Sequence, residues 1–371
     1  MAAKTGIGRY ITGHLGALCG KRFKFIAGTP SPSDDEVIRA ACQDVEITDY
    51  SAPLYSIRER LLGFRRAAAL NRRVNVYWYP QYNVPWRLPK ASVVTIHDLI
   101  QFRFNLESAS FLRTWRGKVR AWAGKIILLR AVRQAARVVC VSTTTLRDLQ
   151  TLIPDIVEKT VVIGNGVSPE WATFSALDGV EVDRRTMGKP FLLAVGVKKG
   201  HKNHSLLLSV IDALAEKGLQ HRLVIIGKQE QDWLRTVAKW ESGGGHLDRL
   251  IDLEEVPDRQ LAAFYGKAAM LLMPSLYEGF GLPPLEAMVA GIPVICSNRG
   301  ALPETVGDAA ILLDPLHLDA WIEAVNRLLV TPFEREQLVA AGKRRAEELT
   351  WPTAAAKLAT LLNEVARTTP A

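Results

Sequence analysis

The chain has 371 residues, of which 48% are hydrophobic and 23% charged. This length suits two domains of ~150–200 residues each, and the composition excludes a disordered or collagen-like chain. No apolar run reaches the ~18 uncharged residues that a membrane span needs, because basic residues interrupt even the best candidate, residues 121–141. Residues 1–18 lack the apolar core of a signal peptide, so we expect no secretory leader.

The four cysteines, at positions 19, 42, 140 and 296, form neither a close pair nor a metal-ligand pattern. This scatter favours reduced thiols in a cytoplasmic protein. We therefore expect four free cysteines.

Charge is distributed unevenly along the chain. The net charge is +9, but residues 51–140 alone hold 17 Lys and Arg against three acidic residues. Such a basic region can attract nucleic acid, anionic lipid or a diphosphate, or it can be an ordinary solvated surface.

Short apolar, β-branched runs alternate with helical patterns from end to end. The runs that predict strands are residues 23–27, 74–78, 92–96, 137–141 and 160–163, then 191–195, 222–226, 269–273, 292–295 and 310–313. Continuous apolar strands separated by helices indicate βαβ units and a mostly parallel sheet. The predicted fold class is therefore α/β, with two doubly wound, Rossmann-like domains facing a central cleft at the carboxyl ends of their strands.

Helical periodicity marks residues 205–217, 258–268, 285–290 and 321–329. Residues 171–188 mix proline, glycine and charge without a clean period, which is typical of a linker. We therefore predict an N-terminal domain over 1–170, a linker over 171–188 and a C-terminal domain over 189–350. Residues 351–371 are expected to form a C-terminal helix that packs back on the N-terminal domain.

The most informative stretch, residues 274–288, follows a predicted strand. Gly279 and Gly281 allow close backbone approach to a ligand, and two prolines then open a helix, where their missing N–H groups are tolerated. The N–H groups around residues 280–282 would lie at the positive helix end, where an anion is held. Glu278 and Glu286, with seven residues between them, can accept hydrogen bonds from sugar hydroxyls.

A second cluster, Gly-Val-Lys-Lys-Gly-His-Lys-Asn-His at residues 196–204, follows the first strand of the second domain. Lys199 and Lys202 are placed to neutralise a diphosphate, although a solvated turn with Asn203 or Ser205 as helix cap is the alternative. His201 and the histidine at 204 lack further spaced ligands, so a structural role is favoured over a metal site.

Together these motifs resemble the retaining glycosyltransferases of family 4, which have the GT-B fold. The resemblance is carried by EGFGLPPLEAM at 278–288 and GIPVICSNRGALPETVGDAAILLDP at 291–315. It continues in GIGRY at 6–10, TIHDL at 95–99, VS at 141–142, NGV at 165–167 and the lysine cluster. The likeness covers nearly the whole chain.

The resemblance implies a role for each matching residue. Glu286 would hold the donor ribose, Glu278 would lie under the transferred sugar, and the lysines would take the phosphate charge. The implied donor-binding residues are Gly8, Lys199, Lys202, Glu278, Gly279, Phe280, Gly281, Leu282 and Glu286. The implied catalytic residues are His97, Glu278 and Lys202, and further cleft residues are Gly6, Asn165 and Ser275. A core histidine at position 97 and a simple Asn-Gly turn at 165–166 remain alternatives.

The implied reaction is hexose transfer with retention from a GDP- or UDP-sugar, with mannose from GDP-mannose preferred. The acceptor would be a glycan or lipid-linked saccharide in surface polysaccharide or lipopolysaccharide synthesis. Lysines would replace the divalent metal of other transferases, so neither a metal nor another cofactor is expected. The leaving phosphate would take the acceptor proton, so no protein nucleophile is needed.

Two positions depart from the family pattern. Family members place a strand ahead of the glycine loop, whereas five residues precede Gly6, so we expect a truncated first strand or a start upstream of Met1. Glu254 stands where the family usually has glycine, which weakens inference about the nucleobase.

The basic region 57–137 fits peripheral contact with an anionic membrane. Its residues 113–137 place Trp115 and Trp122 among basic side chains, a composition that suits an anionic bilayer surface. We therefore expect a cytoplasmic protein that binds the inner membrane face.

Two rival functions stay open. A nucleotide-sugar hydrolase or epimerase would keep the same fold. A basic nucleic-acid-binding protein is disfavoured, because no nucleic-acid module is evident and aromatic residues do not interleave the basic runs.

Overall fold

A computed structural model describes residues 5–21, 23–29, 31–49, 69–70, 73–103, 115–175, 182–186 and 188–369. Its contacts divide the chain into two compact units. The first unit contains residues 1–166 and 349–371, and the second contains residues 167–348. Among the residues described, none of the helices combines the length and apolar character that a bilayer crossing requires.

Strands and helices alternate throughout. The strands are β1 Ile26–Thr29, β2 Glu46–Asp49, β3 Tyr77–Tyr79, β4 Ser92–Ile96, β5 Arg137–Cys140, β6 Thr160–Val162, β7 Phe191–Val195, β8 Arg222–Ile226, β9 Leu250–Leu253, β10 Met270–Met273, β11 Val294–Ser297 and β12 Ile311–Leu313. The helices are α1 Gly6–Leu18, α2 Pro32–Ala41, α3 Ile100–Arg103, α4 Trp115–Gln134, α5 Thr143–Leu152, α6 Glu170–Ser175, α7 His204–Glu216, α8 Gln231–Ser242, α9 Asp258–Lys267, α10 Leu282–Ala290, α11 Leu302–Val306, α12 Leu318–Val330, α13 Pro332–Glu348 and α14 Trp351–Thr368.

In the first unit, β1 pairs with β2, and β3 to β6 pair in chain order, all of them parallel. Strand β4 is buried at every position, as expected for a parallel strand covered on both faces. Residues 1–4, ahead of α1, lie outside the described part, so the expectation of a truncated first strand stays a prediction.

The C-terminal helix belongs to the first unit. In α14, Leu358 and Leu361 join Val93 and Val139 in one buried cluster, and the helix packs along α1. A Cβ at Gly13 in α1 would lie 2.2 Å from the indole of Trp351. Glycine is therefore required at position 13, because any side chain there would displace the tryptophan.

The structure corrects the prediction of four free cysteines. Cys19 and Cys42 form a disulfide with their Cα atoms 5.3 Å apart. Each is the C-cap residue of its helix, α1 and α2 respectively, and the shared core of these helices brings the two ends together. Sequence spacing could not show this, because the two cysteines are 23 positions apart.

Cys140 and Cys296 are free and buried. Burial raises the pKa of each thiol to about 12. Both therefore stay protonated and unreactive near neutral pH.

The second unit contains one six-stranded parallel sheet with the order β12-β11-β10-β7-β8-β9. The chain runs outward from β7 to β9, returns to β10 beside β7, and then runs outward to β12. The junction of β7 and β10 is thus a topological switch point, where the loops at the carboxyl ends of the strands diverge and leave a crevice.

Part of the predicted linker is helical. α6 lies within residues 171–188 except for its first residue, and it packs against α9 and α10 of the second unit. A helix of six residues is too short to show a clear hydrophobic period, which explains why the sequence pattern missed it.

Candidate functional site in the second unit

The switch point brings Lys202 and Glu278 together. Lys202 follows β7 and Glu278 follows β10, and the Lys202 ammonium donates a hydrogen bond to Glu278 Oε1 at 2.6 Å. Both side chains are largely buried, with exposed fractions of 16% and 10%. Two residues that the sequence placed in one site therefore form an ion pair at the position where doubly wound sheets bind ligands.

Two glycines shape the β7 side of this site. Gly196 has a φ of +147°, and Gly227, after β8, has a φ of +156°. A Cβ at Gly227 would lie 2.0 Å from the carbonyl oxygen of Gly196, and one at Gly196 would lie 3.5 Å from Lys202 Nζ. The backbones of the two loops therefore meet closely, and the Lys202 side chain lies alongside Gly196.

The loop after β10 is held by the segment that follows β11. The Ala301 N–H donates to the Glu278 carbonyl at 3.0 Å, and Thr305 Oγ1 donates to the Phe280 carbonyl at 2.7 Å. Gly300 has a φ of +63°, and a Cβ there would lie 2.7 Å from the Glu278 nitrogen. Sequence analysis did not identify these supports, because their partners lie more than twenty positions away.

Helix α10 begins at the predicted loop. Gly281, its N-cap, has a φ of +113° in the left-handed region, and prolines occupy the first turn. The predicted donor-binding stretch Gly279, Phe280, Gly281 and Leu282 thus lies at a helix N-terminus, where the partial positive charge favours an anion. Anion binding by their N–H groups stays a prediction.

Glu286 lies in α10 and is only 1% exposed. Its Oε2 accepts a hydrogen bond from the Tyr265 hydroxyl at 2.8 Å. Nearby in the chain, Ser275 is also buried, and its Oγ has no hydrogen-bond partner among the described residues. Ribose binding by Glu286 and a cleft position for Ser275 stay predictions.

Lys199 differs from Lys202. Its side chain is 54% exposed, and its ammonium lies 4.0 Å from Glu230 Oε1. Lys199 is therefore a loosely held surface cation, whereas Lys202 is ordered by a short hydrogen bond. Lys202 is thus the more ordered of the two lysines, and phosphate binding by either stays a prediction.

Sequence analysis missed the buried lysine of the cluster. The Lys198 ammonium donates to the carbonyl oxygens of Gly227 at 2.6 Å and Leu253 at 2.7 Å, and it forms an ion pair with Asp252. Lys198 thus ties together the carboxyl ends of β8 and β9. No signal in the local sequence distinguishes Lys198 from its exposed neighbour Lys199.

Asn203 is the N-cap residue of α7, as one of the two cap alternatives predicted, but its side chain makes no cap bond. Its amide donates instead to the Pro315 carbonyl at 2.8 Å. Burial lowers the pKa of His201 to about 4 and that of His204 to about 3, so both rings are neutral near pH 7. Among the described residues, no group of three or more His, Cys, Asp or Glu side chains could hold a metal ion.

The remaining predicted residues lie in the first unit. Gly6 and Gly8 open α1, where the Gly8 N–H donates to the Thr5 side chain at 3.0 Å; that N–H is therefore used as a helix cap. Gly166 packs against the backbone at Thr350 and Trp351, where a Cβ would lie 2.1 Å from the Trp351 nitrogen. This close packing explains why the residue is glycine. Asn165 is buried, and its Oδ1 has no partner in the described part of the chain.

His97 follows β4, and the tautomer of its ring is fixed. Nε2 lies 2.7 Å from the Pro80 carbonyl oxygen, which can only accept, so Nε2 carries the proton. Burial lowers the pKa of His97 to about 4, which keeps the ring neutral and leaves Nδ1 as an acceptor. Tyr10 packs edge-on against it with the ring centres 4.7 Å apart. The predicted approach to the donor sugar remains a prediction.

Two successive parallel α/β units, of which the second is doubly wound with a crevice at its switch point, are the architecture of the GT-B glycosyltransferases. Comparison with known families agrees. Residues 5–171 match the model of Glycosyltransferase Family 4, and residues 181–345 match that of Glycosyl transferases group 1. The chain belongs to this family, the group 1 glycosyltransferases of family 4.

The chain is also similar to individual proteins, among them two relatives in sequence and one solved structure. It is 29% identical over 306 residues to O-antigen chain mannosyltransferase B of Escherichia coli, covering 81% of this chain and 77% of that one. It is 31% identical over 283 residues to the MMP alpha-(1->4)-mannosyltransferase of Mycolicibacterium hassiacum, covering 71% and 63%. Its fold is similar to that of sucrose-phosphate synthase from Thermosynechococcus elongatus, with a TM-score of 0.73 at 22% identity over 97% and 94% of the two chains.

Proposed function

We propose that the protein transfers a hexose from a nucleoside diphosphate sugar to a glycan or lipid-linked acceptor in surface polysaccharide synthesis, with retention of the anomeric configuration. The observation that carries the proposal is the Lys202–Glu278 pair at the switch point. The preferred donor is GDP-mannose, because the two relatives described above are named mannosyltransferases.

The chemistry follows from the charge that develops. Breaking the bond between the anomeric carbon and the phosphate oxygen leaves an oxocarbenium-like sugar and a more negative diphosphate. Lys202 and the N-terminus of α10 stabilise that negative charge most in the transition state, which lowers the barrier. Glu278 accepts hydrogen bonds from the sugar hydroxyls, and Glu286 binds the ribose.

The acceptor hydroxyl attacks the face from which the diphosphate departs. The new bond joins the acceptor oxygen to the anomeric carbon, the phosphate oxygen keeps the electron pair of the broken bond, and it takes the acceptor proton. His97 contributes the neutral Nδ1 acceptor to a sugar hydroxyl. Gly6 and Gly8 line the side of the diphosphate and the acceptor, with Gly8 as a donor-binding residue. No metal takes part, because lysine and helix N–H groups supply the positive charge.

A direct test combines binding and turnover. UDP, GDP and ADP are screened for thermal stabilisation, and the selected donor sugar is assayed for transfer, with the product anomer read by NMR. Lys202→Ala and Glu286→Ala should each reduce transfer by about 100-fold or more, while both proteins remain folded at the temperature of the assay. Lys217→Ala, at the exposed far end of α7, is the matched control with normal activity.

Near-normal transfer in both site variants would refute the proposed site. Loss of activity in EDTA that Mg²⁺ or Mn²⁺ restores would refute metal-free catalysis. Donor turnover that persists unchanged without any acceptor would favour the nucleotide-sugar hydrolase or epimerase instead.

We also propose that the protein works at the cytoplasmic face of the inner membrane. Trp122 on α4 is 67% exposed, and Arg130 on the same helix lies 3.8 Å from the ring centre of exposed Trp86. Aromatic rings beside cations favour an anionic bilayer surface. Residues 57–68, 71–72 and 104–114 of the predicted basic region lie outside the described residues, as do the side chains of 115–121.

Sedimentation with anionic vesicles at low and high salt tests this proposal. Trp122→Ser should reduce the bound fraction at low salt, whereas Phe333→Ser, which changes an equally exposed aromatic residue of the second unit, should not. Absence of binding at both salt concentrations would refute membrane association. Binding to DNA and RNA instead of vesicles, with a steep salt dependence, would favour a nucleic-acid partner.

A further inference from the structure

Tyr265 is a buried tyrosine whose side chain is held by two contacts, a hydrogen bond to Glu286 and ring packing with Trp171. It lies in α9, and its side chain is fully buried. Its hydroxyl donates to Glu286 Oε2 at 2.8 Å. The Trp171 ring of α6 packs edge-on against it, with the ring centres 5.7 Å apart and the planes at 90°.

A buried carboxylate needs donors to offset the loss of water. Tyr265 supplies one donor to Glu286, and a carboxylate has further acceptor positions for other partners. Because the phenol is rigid and packed, it restricts the rotation of the Glu286 side chain. An ordered acceptor binds hydroxyl groups more tightly than a free one, since less side-chain entropy is lost on binding.

We infer that Tyr265 is a positioning residue that holds Glu286 in the orientation required to bind the ribose hydroxyls of the donor. This inference rests on the proposed function, in which Glu286 binds the ribose. Trp171 supports Tyr265 from α6, so two helices, α6 and α9, act on one carboxylate of a third helix, α10. Tyr265 itself touches neither the sugar nor the diphosphate.

The test measures discrimination for ribose, which a general loss of stability does not change. Dissociation constants are measured for GDP, UDP and ADP, each beside its 2′,3′-dideoxy analogue, which lacks the ribose hydroxyls. For the nucleotide that binds wild type, Tyr265→Phe should reduce the preference for the ribose form by about tenfold. Affinity for the dideoxy analogue should stay unchanged within the error of measurement.

Glu286→Gln is the reference variant and should reduce the same preference at least as much. The double variant Tyr265→Phe/Glu286→Gln should match Glu286→Gln alone, because Tyr265 acts through that carboxylate. Trp171→Phe, which leaves the phenol in place, should reduce the preference in the same direction. Phe264→Leu is the matched control, since Phe264 is an equally buried aromatic residue of α9 that packs on Phe191 instead.

The outcomes separate the two proposals. Suppose that Tyr265→Phe and Trp171→Phe fold and keep the wild-type preference for the ribose form, whereas Glu286→Gln loses it. That result overturns the inference about Tyr265 but leaves ribose binding by Glu286 intact. A wild-type preference in Glu286→Gln overturns ribose binding by Glu286 and the inference with it. If the wild-type protein binds none of the three nucleotides, the proposed function is overturned. Equal loss of preference in Phe264→Leu overturns the inference, because the effect would then be general to α9.

Discussion

Lys198 and Asp252 form an ion pair inside the second unit, with the Lys198 side chain fully removed from solvent. Burial lowers the pKa of Lys198, and Asp252 opposes that shift. Asp252 also accepts hydrogen bonds from Trp233 at 2.8 Å and Gln229 at 3.0 Å. The pair therefore joins the carboxyl ends of β8 and β9, on the β7 side of the candidate site.

Removing one member of this pair should be costly. Lys198→Met leaves Asp252 uncompensated, so the free energy of unfolding should fall by about 3–5 kcal/mol, measured by denaturant titration. Lys198→Met/Asp252→Asn should recover part of the loss, because both charges are then absent. Lys199→Met, its exposed neighbour, should change stability by less than about 0.5 kcal/mol; an equal loss in both single variants would contradict the assignment.

Substitutions of Lys199 and Lys202 should differ in their effect on turnover. Lys202 is ordered against Glu278, whereas Lys199 is half exposed and 4.0 Å from Glu230. Lys199→Ala should therefore reduce kcat by less than about tenfold, against about 100-fold or more for Lys202→Ala. Steady-state kinetics on the selected donor checks the ratio, and a reversed order would show that Lys199 carries the phosphate charge.

Gly300 should tolerate no side chain. Its φ of +63° and the contact of a Cβ with the Glu278 backbone combine strain with a clash, so Gly300→Ala should displace Glu278 and reduce transfer. Gly188→Ala is the matched control, because Gly188 has a φ of +70° but open space around its Cβ position. That control should lose only about 1–2 kcal/mol of stability and keep its activity; normal transfer by Gly300→Ala would contradict the support described for the loop.

Stability should fall in acid because of His14. This ring is fully buried among Tyr10, Trp78 and Trp351, and both its nitrogens lack partners among the described residues. Burial, with a smaller contribution from His97, lowers its pKa from 6.5 to about 3. The unfolded chain therefore binds more protons than the native state between these pH values, and the free energy of unfolding decreases as pH falls through that range.

His14→Phe should remove this contribution, which amounts to about 1.4 kcal/mol per pH unit within the range. Denaturant titrations from pH 7 to pH 4 measure the slope. His317→Gln, at an exposed residue, should leave the slope as in wild type. An unchanged slope in His14→Phe would show that other groups dominate acid unfolding.

The buried strands and the central pair of the site could be predicted from sequence. Predicted strands 92–96, 191–195 and 222–226 coincide with β4, β7 and β8, because continuous apolar runs mark strands covered on both faces. β2 and β9 were missed, since two of the four residues of β2 and one of the four of β9 are acidic, which breaks the apolar pattern. Lys202 and Glu278 were predicted in one site because each lies in the segment that follows a predicted strand of the second unit, Lys202 after β7 and Glu278 after β10.

The supporting residues could not be predicted in this way. Tyr265, Gly300 and the Cys19–Cys42 bridge act through partners that only the fold brings near. A tyrosine in a helix and a glycine in a loop have many ordinary explanations when only their neighbours in the chain are known. Their role depends on distances across the unit, which local patterns do not encode.

The return of α14 to the first unit has a consequence for biosynthesis. The ribosome completes the whole second unit before it makes Leu358 and Leu361, which cover Val93 and Val139. Domains ordinarily fold in order as they emerge, but here the first unit must wait with an uncovered apolar surface until α14 has been made. The nascent chain is therefore most exposed to aggregation in its oldest part, and a message truncated at codon 348 would leave that surface permanently open.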